Sequence, residues 1–91
     1  MISLDQARNQ RNFLHSLYSA TGSVTPIDIP VFDIAEELSL EIGEAIAVAE
    51  ELQERRLVVL YPSATPRYAR VRITPDGMHA AGRRELRRRA S

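Results

Sequence analysis

Residues 39–60 read SLEIGEAIAVAEELQERRLVVL, and the pattern changes character once along that stretch. From Glu41 to Arg55 the apolar residues recur at helical spacing. On a wheel turning roughly 100° per residue, Ile42, Ala45, Ile46, Val48, Ala49 and Leu52 span an arc of roughly 160°, wide enough for a helix that faces a core. Gly43, Glu44, Ala47, Glu50, Glu51 and Glu54 take the other side. Five glutamates and no basic residue stand between Glu41 and Glu54. The chain then runs into LVVLY (57–61), which is β-branched and has no helical period. A helix delivered straight into a strand implies a small mixed core, whose other parts lie on either side.

Upstream, residues 3–21 read as a first helix, with Leu4, Ala7, Leu14, Leu17 and Tyr18 on one face. Ser3 is placed to cap its start, and Gly22 stands where a left-handed C-terminal residue is wanted. In SVTPIDIP (23–30) Ile27 and Ile29 alternate with polar neighbours between prolines, which fits a short edge strand. A second helix over 30–38 can take Pro30 as its first residue, since the missing N–H costs nothing there. Val31, Ile34, Ala35 and Leu38 give it a buried face. The chain turns through Ser39 and Leu40 into the third helix, 41–55. Downstream, PSATP (62–66) is a turn, and RYARVRIT (67–74) alternates with Ala69, Val71 and Ile73 on one face and Arg70, Arg72 and Thr74 on the other. Strands 57–61 and 67–74 therefore make an antiparallel hairpin. Thr74-Pro75-Asp76-Gly77 leads into a last helix, 76–89. Thr74 offers a side-chain oxygen to the free N–H groups there, and Gly77 offers backbone freedom in the turn.

Two segments carry a resemblance to a known family. LSLEIGEAIAVAEELQERRLV (38–58) is similar to the turn, third helix and "leu-x-x-x-gly-leu-val" exit of winged helix-turn-helix domains of bacterial and archaeal transcriptional regulators. Leu38, Leu40, Ala45, Ala49, Leu52, Leu57 and Val58 fall on the positions that family keeps apolar. VRITPDGMHAAG (71–82) resembles its "leu-thr-x-x-gly" segment, through Ile73, Thr74 and Gly77. Arg56 departs from the pattern, standing where the family often has glycine. If that position needs positive φ, the arginine carries a strain of about 1 kcal/mol. The resemblance implies a mainly α chain with a small β-hairpin, an α+β winged helix-turn-helix. It would have a three-helix core, a wing and a C-terminal helix, all in one domain over residues 1–91.

The resemblance also implies double-stranded DNA as the partner, usually bound by a dimer, with the exposed side of the third helix in the major groove. Here that side offers Gly43, Glu44 and Ala47, with Glu50 and Glu51, and none of these neutralises a phosphate. Carboxylates at Glu41 and Glu44 suit the helix dipole, and the remaining glutamates suit solvated surface. The charge for nucleic acid lies later. Residues 28–54 hold nine acids and no base, whereas 55–91 hold ten arginines against Asp76 and Glu85. Arg67, Arg70 and Arg72 on the wing are the first candidates for DNA contact, together with backbone N–H groups at the start of the third helix. Arg83, Arg84 and Arg87 are candidate phosphate contacts on the last helix. The plain alternative is that helix-terminal arginines complement the dipole and aid solubility.

The same charge map supports a second reading, a protein-interaction module. Its acidic second and third helices and its basic wing and tail would favour self-association or docking to a partner. The first and last helices are the expected dimer contact. Phe13 and Tyr18 are candidate anchors there, with ordinary core packing as the other reading. Enzymatic function is not expected. There is no cysteine, and neither His15 nor His79 has a nucleophile or metal-ligand spacing beside it. No metal or cofactor is therefore expected. No segment approaches the length of a membrane span or resembles a signal peptide, so a cytoplasmic setting is expected.

Overall fold

The computed structural model describes residues 4–21 and 27–90, with side chains described for 6–21 and 27–82. The expectations for Ser3 and Gly22, and for the side chains of Arg83, Arg84 and Arg87, lie outside the described residues. Helix α1 runs Leu4–Thr21, strand β1 Ile29–Pro30, helix α2 Val31–Leu38 and helix α3 Ile42–Glu54. Strand β2 (Val58–Tyr61), a short 3-10 turn (Pro66–Tyr68), strand β3 (Arg70–Ile73) and helix α4 (Pro75–Ala90) follow.

The apolar stripes of the three helices and the inner face of the sheet meet in one core. Phe13, Leu17, Val31, Ala45, Ala49 and Val71 are fully enclosed, and Ile34, Leu52, Val58 and Ile73 are within 1% of it. Each large side chain so buried contributes roughly 1.5–3 kcal/mol of transfer free energy. Phe13 is therefore core and not an outward anchor. The helical wheel places it off the main stripe of α1, but α1 is covered over a wide arc by the other helices.

The hairpin expected from the sequence is part of a three-stranded sheet of order β1-β3-β2, antiparallel throughout. Strand β3 is central, with Val71 opposite Ile29 on one side and Leu60 on the other. Its start differs from expectation. Residues 66–68 form the 3-10 turn, closed by Tyr68 N–H to Thr65 C=O (2.9 Å) and Ala69 N–H to Pro66 C=O (3.1 Å). Pro66, with its fixed φ, suits the first position of that turn and cannot donate to a ladder. Ala69 C=O then accepts the Val31 N–H at 3.0 Å, which ties the turn to the start of α2. Pro30 ends β1 with extended backbone (ψ 129°) rather than opening α2.

Two helix exits share one geometry. After α2, Ser39 adopts φ 57°, its N–H donates to Glu36 C=O and the Leu40 N–H donates to Ala35 C=O at 2.9 Å. After α3, Arg56 adopts φ 63°, its N–H donates to Gln53 C=O and the Leu57 N–H donates to Leu52 C=O at 3.0 Å. Both are Schellman closures, which place one residue in the left-handed region and thereby satisfy the orphan carbonyls of the last turn. Neither uses glycine. The first sets α3 against α2, and the second aims β2 back across the core.

Helix α4 begins as the Thr74 side chain suggests. The Thr74 hydroxyl donates to Arg56 C=O (2.8 Å) and accepts the Gly77 N–H (3.0 Å). Gly77 has a different role from the one expected. It lies within α4 without positive φ, and a Cβ there would stand 2.0 Å from the Leu57 carbonyl oxygen. Close approach between α4 and the α3–β2 turn requires glycine, not backbone freedom.

Candidate nucleic-acid interface

On α3 the exposed residues include Gly43, Glu44, Ala47, Glu50 and Glu54. A Cβ on Gly43 would meet nothing within 4 Å, so this end of the helix is open to solvent. Glu51 does not share that face. It is half-buried against α1, where it accepts the Gln10 Nε2–H at 2.6 Å and the Gln6 amide at 3.5 Å. It lies toward the edge of the polar side of the wheel, and α1 crosses α3 there. The N-cap residue of α3, Glu41, makes no side-chain capping bond. Exposed Glu41 and Glu44 put negative charge beside the amides that were expected to meet a phosphate.

The three candidate arginines are in different circumstances. Arg70 and Arg72 alternate with buried Val71 and Ile73, so both project from the outer face of β3. Arg70 lies opposite Tyr61 on β2 and Pro30 on β1, and Arg72 lies opposite Val59. Val59 and Tyr61 are 37% and 43% exposed, so this face pairs two guanidinium groups with an apolar and an aromatic side chain. Arg72 Nε donates to Asp28 Oδ1 at 2.8 Å, with both side chains well exposed. Arg70 has no hydrogen bond or ion pair among the described residues. Arg67 falls outside the strand, in the 3-10 turn, where its guanidinium stacks 4.8 Å from the centroid of the Phe32 ring. The structure thus brings Arg70 and Arg72 together and places Arg67 apart, beside α2.

Two partners of these arginines were not picked out from the sequence, Asp28 and Phe32. The alternation of Ile27 and Ile29 already put Asp28 on the opposite face from them. Only the register of β1 on β3 brings it to Arg72.

No family model matches the sequence, and no curated protein is significantly similar to it. Among solved structures, a variant of ZitR from Lactococcus lactis in its apo form superposes with a TM-score of 0.69 at 16% identity. The match covers 94% of this chain and 61% of that one, so the chain spans about three-fifths of the ZitR length. The fold is a winged helix. In its terms α2 and α3 are the helix-turn-helix pair, β2 and β3 are the wing strands, and the segment between them is the wing tip. Among the described residues, no helix is long and apolar enough to cross a membrane.

Proposed function

We propose that this chain is the DNA-binding module of a cytoplasmic transcriptional regulator, and that it holds duplex DNA by its wing and not by α3. The observation that carries this reading is Arg70. Its guanidinium, without a partner among the described residues, stands on the outer face of the central strand, in line with Arg72 and beside exposed Tyr61. Affinity for duplex DNA comes first from neutralised phosphates, and arginine meets a phosphate with a planar fork. The engagements of the other two arginines are weak enough to yield. An exposed ion pair such as Arg72–Asp28 is worth about 0–1 kcal/mol, and an exposed cation–π contact such as Arg67–Phe32 about 0.5–1 kcal/mol. Each orients its guanidinium without withdrawing it from solvent. Glutamates on the open face of α3 would repel a phosphate backbone at close range, which argues against deep insertion of that helix. Association through α1 and α4, which pack on each other, belongs to the same reading.

The test is fluorescence anisotropy of a labelled mixed-sequence duplex at several salt concentrations. Wild type is compared with an Arg67, Arg70, Arg72→Ala triple variant and with Asp28→Asn. The expected outcome is binding that weakens with salt, with the log–log slope shallower in the triple variant by about 0.9 for each phosphate no longer neutralised. Asp28→Asn releases Arg72 and removes an opposing charge, so it should tighten binding. Absence of binding at low salt, or a triple variant indistinguishable from wild type, would overturn the proposal.

The second reading, a protein-interaction module, is favoured by one specific feature. Asp33, Glu36, Glu41, Glu44, Glu50 and Glu54 are all exposed on α2 and α3 or the turn between them, a segment that contains no basic residue of its own and is met at Phe32 by the guanidinium of Arg67. It suits a basic partner, including the arginine-rich half of a second copy. Concentration-dependent, salt-sensitive self-association in a chain that binds no duplex would select it.

A further inference from the structure

A cleft of about 320 Å³ lies where α1 crosses the C-terminal end of α3 and the turn into β2. Its apolar lining includes Leu14, Leu52 and Leu57, and Arg11 and Arg55 stand at its edge. Gln10 is 5% exposed and reaches in both directions. Its Nε2–H donates to Glu51 at 2.6 Å, and its Oε1 accepts from Arg55 Nη1 at 2.9 Å. Glu51 thus has Gln10 for a partner and does not itself line the cleft. Arg55 is held at the rim by one of its five N–H donors. Arg11 makes no hydrogen bond or ion pair among the described residues. Among the described residues no carboxylate lines this cleft; Glu51 and Glu54 line an adjoining hollow of about 270 Å³ on the far side of Gln10 and Arg55.

We propose that the cleft binds a small organic carboxylate, with Arg11 and Arg55 meeting the anion and Leu14, Leu52 and Leu57 receiving its apolar body. Two guanidinium groups over a leucine floor select for charge and hydrophobicity in one molecule. A neutral ligand leaves the cations unanswered, and an inorganic anion leaves the leucines wet. The volume is at the low end of small-molecule sites, about 300–1,000 Å³, which points to a single ring or short acyl chain and not to a nucleotide or cofactor. Preorganisation favours the site, since the Gln10 amide already fixes one of the two cations. This proposal does not depend on the nucleic-acid reading, because none of these side chains belongs to the wing.

Phenylacetate serves as the probe and phenylacetamide as its uncharged counterpart. Both are titrated at millimolar concentration into the whole chain, isotopically labelled for methyl and amide NMR. The expected result is saturable shifts centred on the methyl groups of Leu14, Leu52 and Leu57 and on the Arg55 side-chain N–H. Affinity should fall at least about tenfold for the amide, and by a similar factor in an Arg11→Gln, Arg55→Gln variant. The glutamines retain polarity at exposed positions, and preserved signal dispersion would show that the variant is folded. Equal binding of acid and amide, an unchanged affinity in the variant, or shifts without saturation would each overturn the proposal. So would shifts spread over the arginine-rich surface without a response from the leucine methyls.

Discussion

Gly43 and Gly77, both within helices, should respond to alanine with opposite sign, and Gly77 is the sharper case. A Cβ at Gly77 would stand 2.0 Å from the Leu57 carbonyl oxygen, 2.8 Å from Ile73 Cγ1 and 3.0 Å from the Leu57 carbonyl carbon. About an ångström must open between α4 and the α3–β2 turn, and the nearest obstacle is backbone, which cannot rotate away. That same carbonyl accepts the Thr74 N–H at 3.1 Å, so moving the turn stretches a hydrogen bond worth about 1 kcal/mol. Overpacking of this kind costs about 1–3 kcal/mol. Against it stands the helix propensity gained from glycine to alanine, about 1 kcal/mol. The net expectation for Gly77→Ala is a loss of about 2 kcal/mol, which for a domain of this size lowers Tm by about 10 °C. Gly43, in the first turn of α3, has nothing within 4 Å of its virtual Cβ, so Gly43→Ala should gain about 0.5–1 kcal/mol from propensity alone. Urea unfolding followed by far-UV circular dichroism measures both. If Gly77→Ala is as stable as wild type or more so, the claimed close approach of α4 to Leu57 is wrong.

Two further substitutions probe the same corner. Arg56→Gly relieves a left-handed conformation at φ 63° and should raise stability by about 0.5–1 kcal/mol; a lower urea midpoint would mean that the arginine side chain contributes more than its backbone strain costs. Thr74→Val removes both the bond to Arg56 C=O and the acceptor for the Gly77 N–H, and should cost about 1–2 kcal/mol in the same assay, whereas Thr74→Ser should retain most of it.

Much of this architecture is legible along the chain. The third helix and the strand after it show in a single change of period at Leu57, because burial on one side imposes 3.6-residue spacing on a helix and two-residue alternation on a strand. The start of α4 shows in Thr74-Pro75, because capping is a local matter of one hydroxyl and the nearest free amides. The uneven charge is likewise plain in the sequence, with acids through α2 and α3 and arginines from Arg55 onward. It already indicates that the exposed side of α3 lacks the chemistry for gripping a phosphate.

What the tertiary structure alone decided concerns pairs of residues far apart in sequence. Alternation in RYARVRIT puts Arg70 and Arg72 on one face and Arg67 on the parity of Ala69, Val71 and Ile73, and the sequence shows nothing further about their surroundings. They differ because the 3-10 turn removes Arg67 from the strand and sets it over Phe32, while the β1 register delivers Asp28 to Arg72 and leaves Arg70 without a partner among the described residues. Glu51 looks like its neighbours on the wheel, but α1 crosses at that point and Gln10 holds it. Gly77 looks like a turn residue until the Leu57 carbonyl is placed beside it. Periodicity and capping report on contacts within a few residues, where chain geometry determines who meets whom. Ion pairs, stacking and close approach between elements depend on how the elements cross, and that crossing is set by the packing of the whole core.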